Sequence, residues 1–536
     1  MIILIAIHFL SDWRPAGGSQ TNKKTNYKHM KKFPIYLLLF SVLSWISCDS
    51  GFDEMNVNPN ALTSIEPVYQ LNTAIVASAP VYGNLSYETT IVKQMITPFS
   101  GVGAAGNYNQ DNRNVAAGNW QRGYRDIIKD LADALVVTQG RPEYNNLYQL
   151  IRIWKAYTFM MLTDTYGDVP YFDAGKVFRE GITNPEYDPQ EQIYDDILQE
   201  LENATASIDP AGPGVPSEVL YSGDLQKWKR LGNSLLLRAA MRLTKINPSK
   251  AREYVVKAVN GGLMLDNNDN AIIRHTANYN NNIGAQLNGG QSAFFYLAED
   301  FVSFLSENDD PRLASIAVRY VGATSGASQN EGTAVRDPAV QIGMPLGYDN
   351  TTISEAVAAS NLASLWDYSQ LDRTRMANPQ APSFLVTHAQ TQLLLAEAVV
   401  RDWVPGDAAI LYANGIRAHM EQLASYGPSV AIAEADIQAY LQTHPLLAGE
   451  ELELINTQYW VATFLLGPEA WANFRRSGFP DLSPNPYPGS DLQNEEFIRR
   501  LSYTDAEINV NADNVQAAIS RQGPNNMDTR VWWDVE

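Results

Sequence analysis

The chain has 536 residues, of which 45% are hydrophobic and 10% aromatic, and its formal net charge at pH 7 is −20. This hydrophobic content is enough to bury a large core. The negative charge excludes binding of nucleic acid or other acidic polymers through bulk charge, because phosphate backbones require basic surfaces.

A secretory signal pattern occupies residues 30–54. Two lysines are followed by an apolar run at 33–46, the small residue Ser47, and then Cys48. The run is shorter than the ~20 residues that span a bilayer, and no longer one follows, so no transmembrane helix is predicted. Cys48 is the single cysteine of the chain and cannot form an internal disulfide. A thiol directly after a signal peptide can instead carry acyl chains that anchor a protein to a membrane.

This signal resembles that of bacterial lipoproteins, with Cys48 as the acylated first residue of the mature protein, although Trp45 stands where such signals usually carry Leu. We interpret residues 1–29 as an upstream extension, 30–47 as the signal peptide and 48–536 as a single domain. The alternative is an ordinary buried thiol after a hydrophobic helix. Three acidic residues near the cysteine resemble signals for export to the cell surface in Bacteroidetes-type bacteria: Asp49, Asp53 and Glu54.

Most of the remaining chain has apolar residues at helical spacing. The predicted helices are 68–79, 87–98, 120–137, 145–166, one that ends at 206, 224–244, 247–262, 292–306, 311–320, 388–403, 407–426, 433–443, 452–465, 468–479 and 515–521. Three irregular insertions rich in Gly, Asn and Ser interrupt them, at about 101–119, 263–291 and 321–384. Long ordered loops in compact domains are often functional, so ligand contacts are expected there.

Aromatic rings among side-chain amides can stack on sugars and hydrogen-bond their hydroxyl groups. The loops place such residues at seven positions, which we predict to bind ligand: Asn107, Tyr108, Asn109, Tyr279, Asn280, Trp366 and Tyr368. For any single ring, packing against the core is the alternative.

Motifs of catalysis and cofactor binding are absent from the sequence. It has no HExxH, CxxC, GxSxG, Walker or dinucleotide-binding pattern, and no metal or cofactor is predicted. Asp164, Asp168 and Asp173 follow an apolar helix, where capping and turn formation is favoured over a catalytic carboxylate pair. The acidic run at 266–270 lacks the spacing of a calcium loop, and a solvated turn is favoured over a cation site.

Several segments resemble the SusD/RagB family of nutrient-binding outer-membrane lipoproteins. The first is TDTYGDVPY at 163–171, directly after an apolar helix. The others, in order, are 187–194, 224–228, 233–242, 394–398, 469–478, 499–503 and the 517–534 tail, which carries the Trp-Trp-Asp sequence. The resemblance extends from Cys48 to the C-terminus.

This resemblance implies a mainly α SusD-like fold, with tetratricopeptide-repeat-like helix pairs as scaffold, irregular loop insertions and minor β structure. No clean repeat of about 34 residues is visible. It also implies a lipid-anchored outer-membrane protein at the cell surface that is not an enzyme. Such a protein captures an oligosaccharide and delivers it to a TonB-dependent transporter of the SusC type.

Three alternatives stay open at this point. The ligand of the same kind of protein can be a peptide. A surface glycoside hydrolase is possible because its two carboxylates can lie anywhere in a sequence. A helical-repeat adaptor with only protein partners is the third, and it predicts an apolar groove. The lipid signal and the polar, aromatic-bearing loops favour the nutrient-binding protein.

Overall fold

Helices form most of the structure, a computed structural model that describes residues 65–101 and 105–536, apart from the side chain of Phe178. The predicted signal peptide and the Cys48 attachment site lie outside these residues. The α-helices are α1 (Pro67–Ala77), α2 (Glu88–Ile91), α3 (Arg113–Gln121), α4 (Lys129–Thr138), α5 (Asn145–Tyr166), α6 (Val177–Glu180), α7 (Gln190–Ser207), α8 (Leu225–Arg242), α9 (Pro248–Gly261), α10 (Asn282–Leu287), α11 (Glu299–Glu307), α12 (Arg312–Ile316), α13 (Ile353–Ala359), α14 (His388–Val400), α15 (Ala408–Gln422), α16 (Glu434–Thr443), α17 (Glu451–Ala462), α18 (Gly467–Ser477), α19 (Asp505–Val510) and α20 (Ala512–Gln522).

The helices pack in pairs that share one core. Helix α5 packs on α7, α8 on α9 and α14 on α15, while α8 also contacts α7 and α14. Helix α8 shows why the sequence specifies this arrangement. The Asp224 side chain caps its start by accepting hydrogen bonds from the backbone N–H groups of Gln226 and Lys227. Trp228 and Leu235 are fully buried on its apolar face.

Three small antiparallel sheets tie the irregular segments to this scaffold. Their strands are β1 (Met95–Ile96), β2 (Ala271–Ile273), β3 (Tyr296–Leu297), β4 (Ala317–Tyr320), β5 (Ala334–Val335), β6 (Gln370–Leu371) and β7 (Ser383–Val386). Strand β1 pairs with β3, and β2 pairs with β7. Strand β4 lies between β5 and β6, with Arg319 opposite Val335 and Ala317 opposite Leu371.

The prediction of an irregular loop at 101–119 is wrong for the second half of that segment. Helix α3 begins at Arg113 because the Asn112 side chain accepts a hydrogen bond from the backbone N–H of Val115 and caps the helix. A π-helix, Arg122–Ile128, then joins α3 to α4. Gly123 lies so close to α5 that a Cβ there would be 2.6 Å from a Leu162 methyl carbon.

Two predicted helices are shorter than expected because strands take their C-terminal halves. The predicted helix 87–98 ends at Ile91, and the chain then turns at Lys93, whose φ is +52°, into strand β1. The predicted helix 311–320 ends at Ile316, where β4 begins. The segment 321–384 is less irregular than predicted, since it contains α13, β5 and β6.

The acidic residues in the last turn of α5 and just after it have structural partners, and Asp168 caps a helix as predicted. The carboxylate of Asp168 accepts a hydrogen bond from the backbone N–H of Gln190 at the start of α7 and pairs with Arg521. Asp173 pairs with Lys176 at 2.9 Å. Asp164 is buried and pairs with Arg242 of α8 at 3.1 Å. These three carboxylates therefore stabilise the fold.

Candidate ligand-binding site

Helix α1 has one face in the core and another toward solvent. Leu71 and Ile75 are fully buried, whereas Tyr69, Thr73 and Val76 recur at helical spacing on the opposite side. Tyr69 is 56% exposed. An aromatic ring on the solvent face of a well-anchored helix contributes little to the core and is available for contact with a ligand.

The loop between β2 and α10, residues 274–281, forms a second wall beside α1. The backbones of Thr276 and Tyr279 exchange two hydrogen bonds of 3.0 Å, which closes the loop into a tight turn. The Tyr279 hydroxyl donates to the Val76 carbonyl oxygen at 2.8 Å. The Tyr279 ring stacks on His275, with centroids 5.2 Å apart and an interplanar angle of 17°. Tyr279 is thus 40% exposed but fixed in orientation.

Between these walls lies a cleft of about 640 Å³, which we call the α1 cleft. Its lining combines two exposed tyrosine rings with amides, a hydroxyl and two charged groups. It comprises Tyr69, Asn72, Thr73, Val76, Ala77, Ala79, Pro80, Val81, Arg122, Asp126, His275, Tyr279, Asn280 and Asn282. Ligand sites of this size suit small molecules and short oligomers.

The charged groups of the cleft come from the π-helix. Arg122 is its first residue, and Asp126 lies one turn further on. Arg125 binds the Asp126 carboxylate through two hydrogen bonds of 2.7 and 2.8 Å. Burial lowers the pKa of Arg122 and that of His275. Single π-helical turns inside α-helices occur frequently at functional sites.

Of the seven residues predicted from sequence, Tyr279 and Asn280 lie in this cleft. Asn107, Tyr108 and Asn109 lie elsewhere, against the segment at 485–491. The Tyr108 ring is buried and stacks on Tyr487 with centroids 4.4 Å apart. Its hydroxyl donates to the Pro98 carbonyl oxygen at 2.6 Å. The structure therefore gives Tyr108 a packing role, and its contact with ligand stays a prediction.

Trp366 and Tyr368 flank the three-stranded sheet. Trp366 is partly exposed and packs against the apolar cluster of Val318 and Tyr320. Tyr368 is fully buried, and its hydroxyl lies 3.3 Å from the Ser360 Oγ. Neither residue lines the α1 cleft. Their contact with ligand also stays a prediction.

Sequence reasoning missed three groups of the cleft: Tyr69, Arg122 and His275. The signal for Tyr69 was its position off the apolar stripe of α1. Arg122 and His275 carry no sequence signal, because their proximity depends on how α1, the π-helix and the 274–281 loop pack together.

Within the described residues, no group of three His, Cys, Asp or Glu side chains is placed to hold a metal ion. Residues 267–269 form a single 3₁₀ turn, as favoured from sequence, but Asp269 and Asn270 are buried and not solvated as predicted. Asp266 accepts a hydrogen bond from the backbone N–H of Asn268, and Asp269 pairs with Arg230. No helix of the described chain is both long and apolar enough to cross a membrane.

Comparison with known families assigns the fold. A family model described as "Starch-binding associating with outer membrane" matches residues 59–504, and the chain therefore belongs to the SusD-like family. This confirms the resemblance inferred from the sequence motifs and the prediction of a mainly α SusD-like fold.

Solved structures agree with this assignment. The chain is similar to a chitin-binding protein at 28% identity, with a TM-score of 0.78 over 88% of this chain and all of that one (100%). It is similar to a Bacteroidetes AC2a SusD-like protein at 27% identity, with a TM-score of 0.77 over 88% and 100% of the two chains. A chitin-binding SusD homologue from Flavobacterium johnsoniae is 27% identical, with a TM-score of 0.68 over 89% and 96%. None of the curated proteins matches this chain.

Proposed function

We propose that this protein is a cell-surface lipoprotein that captures an oligosaccharide and delivers it to a TonB-dependent SusC-type transporter of the outer membrane. It acts as a binding protein and not as an enzyme, with Cys48 as the lipid attachment point. Membership of the SusD-like family supports this role, as do the two similar proteins named for chitin binding. Chitin oligosaccharides are therefore among the first ligands to test.

The observation that carries the proposal is the pair of exposed tyrosine rings in the α1 cleft. Tyr69 and Tyr279 are 56% and 40% exposed, on two walls of one space. Sugar rings present apolar C–H faces that pack on aromatic surfaces, and their hydroxyl groups need donors and acceptors around the edge. The exposed Asn280 and Thr73 supply such groups.

The fixed geometry of Tyr279 also supports binding. Its ring is held by the His275 stack and by the hydrogen bond to Val76, so a ligand does not have to order it. Preorganised contacts increase affinity because less conformational freedom is lost on binding.

The test is titration calorimetry of the purified, detergent-solubilised protein with chitin, starch and other oligosaccharides and with peptides. Tyr69→Ala and Tyr279→Ala are each expected to weaken glycan binding about tenfold, since stacking contacts of this kind contribute roughly 1–1.5 kcal/mol. Phe172→Ala is the matched control, because Phe172 is 45% exposed and does not line the cleft. Equal affinity in all three variants would contradict the assignment of this cleft.

Two further measurements test the rest of the proposal. New reducing ends after incubation with a bound glycan would indicate a hydrolase. Delivery to a transporter predicts that a TonB-dependent protein co-purifies with the chain from outer membranes, and that Cys48→Ala moves the chain out of the membrane fraction.

A further inference from the structure

Arg122 lines the α1 cleft and forms no salt bridge with any other described residue. Its Nε and Nη1 atoms are buried and have no hydrogen-bond partner among the described residues. Its guanidinium lines both the cleft and a smaller inner cavity of about 30 Å³. Burial lowers its pKa, which is the effect expected for a cation without a close counter-ion.

Glu88 and Asp126 act on the pKa of Arg122 through their charge, but neither forms a salt bridge with it in the described structure. Glu88 is fully buried, and burial raises its pKa to about 7, so a large fraction of it is protonated at neutral pH. Its carboxyl oxygens accept hydrogen bonds from the amides of Asn84 and Asn119. Asp126 directs its carboxylate to Arg125, as described above. Among the described residues, the buried Nε and Nη1 of Arg122 therefore have no hydrogen-bond partner, and its guanidinium forms no direct ion pair.

An unpaired buried cation destabilises a fold, because it has lost water without gaining a partner. The other buried arginines of this core have partners: several form salt bridges, whereas Arg475 and Arg500 donate hydrogen bonds to backbone carbonyl oxygens. Arg242 contacts Asp164 and Glu469, and Arg476 binds Glu397 through two hydrogen bonds of 2.7 and 2.8 Å. Arg122 differs from them in facing a ligand-sized cleft. Sites that recognise ligands often retain such unfavourable groups.

We infer that the saccharide bound in the α1 cleft carries an anionic group, a carboxylate or a sulfate ester, and that Arg122 binds it. This inference rests on the proposed function of the cleft. A guanidinium donates charge-assisted hydrogen bonds to carboxylate or sulfate oxygens, and these are stronger than neutral hydrogen bonds. Tyr279 lies on the same cleft, so a sugar ring can stack there while its anionic group reaches Arg122.

The net charge of −20 opposes long-range attraction of such a ligand. Charges beyond about 8 Å are largely screened at physiological ionic strength, whereas a contact with a buried guanidinium is not. Recognition would thus be local, and the affinity is expected to change little between low and physiological salt.

The test compares ligands that differ only in charge. Calorimetry of the detergent-solubilised full chain would use oligogalacturonate and its methyl ester, and κ-carrageenan oligosaccharides and their desulfated form. The expected result is at least tenfold tighter binding of one charged member than of its neutral counterpart. A difference in the galacturonate pair would indicate a carboxylate, and a difference in the carrageenan pair would indicate a sulfate ester. Equal binding of the neutral and charged members would overturn the inference.

Variants of the arginine provide the second arm. Arg122→Gln is expected to bring the charged and neutral ligands within twofold of each other, and Arg122→Lys to retain part of the difference. Lys129→Gln is the control, because it removes a positive charge from α4 without touching the cleft. If chitin oligosaccharides bind and Arg122→Gln changes nothing, the inference fails while the proposed function stands. If no saccharide binds, both fail.

Stability separates a ligand contact from a structural role. Because Arg122→Met removes an unpaired cation, the Tm of this ligand-free variant should equal or exceed that of the wild-type protein. A fall of several degrees in Tm would show that Arg122 stabilises the fold, and it would overturn the inference.

Discussion

The indole Nε1 of Trp533 donates a hydrogen bond of 2.9 Å to the Oδ1 of Asp164, across 369 residues of sequence. The same carboxylate oxygen accepts from the Tyr194 hydroxyl, and Oδ2 accepts from Arg242. The C-terminal tail therefore closes over the end of α5. Asp164 is buried with three donors around it, so its carboxylate links four separate segments of the chain.

Trp533→Phe should destabilise the protein by ~2 kcal/mol, because a buried carboxylate loses a donor. The free energy of unfolding in urea measures this loss. Trp532→Phe is the control, since Trp532 is partly exposed and its indole makes no hydrogen bond among the described residues. Similar losses in both variants would contradict a specific role for the Trp533 hydrogen bond.

Arg242→Met should destabilise the protein by roughly 3–5 kcal/mol, because the buried Asp164 loses its cation and Glu469 keeps only the more distant Arg238, at 3.5 Å. Arg242 contacts Asp164 at 3.1 Å and Glu469 at 2.6 Å. Thermal or urea unfolding would show the loss directly. Arg252→Met on α9 removes an exposed arginine and should change the free energy of unfolding by less than about 0.5 kcal/mol.

Glu88 predicts a specific pH dependence of stability. Burial raises its pKa from 4.5 to about 7 in the folded protein, so the folded state holds a proton that the unfolded state releases above pH 4.5. Stability therefore falls as the pH rises through this window. Between pH 4.5 and pH 8, the free energy of unfolding of the wild-type protein should fall by about 3 kcal/mol relative to that of Glu88→Gln.

The measurement is the free energy of unfolding at several pH values for both proteins. Glu191→Gln, which changes an exposed glutamate at the start of α7, should give a curve parallel to that of the wild type. A constant difference between Glu88→Gln and the wild type across this range would rule out the buried, protonated carboxyl.

Tyr108→Ala should lower the free energy of unfolding by about 3 kcal/mol, because it removes a buried ring that stacks on Tyr487. Tyr69→Ala removes an exposed ring and should cost less than about 0.5 kcal/mol. Glycan affinity, measured where both variants are folded, should fall in Tyr69→Ala and stay within twofold in Tyr108→Ala. A tenfold loss of affinity in Tyr108→Ala would instead confirm it as a ligand contact.

Much of the scaffold could be predicted because its signals are local. The helix predicted at 145–166 has those bounds in the structure, and Gly167 ends it with a φ of +81°. Asp224 is a cap residue with an apolar stripe behind it, and the predicted helix follows. The errors lie where pairing with a distant segment determines the local structure. Strand β1 is an example, because its partner β3 is about 200 residues away along the chain.

The site was harder to predict for the same reason. Loop position and composition pointed to Tyr279 and Asn280, which lie in the α1 cleft, but similar composition at Asn107 and Tyr108 corresponds to packed loops. Exposure of an aromatic ring depends on which segments cover it, and a single sequence does not contain that information. Arg122 is distinctive because its buried Nε and Nη1 have no hydrogen-bond partner in the part of the chain that the structure describes.

The two walls of the α1 cleft differ in how freely they can change during evolution. Helix α1 is anchored by buried residues such as Leu71 and Ile75, so substitutions on its inner side endanger folding. The opposite wall is the short loop at 274–281, held between β2 and α10. Under the proposed function, exchanging that loop would give the same scaffold a new ligand preference while the helical core stays unchanged.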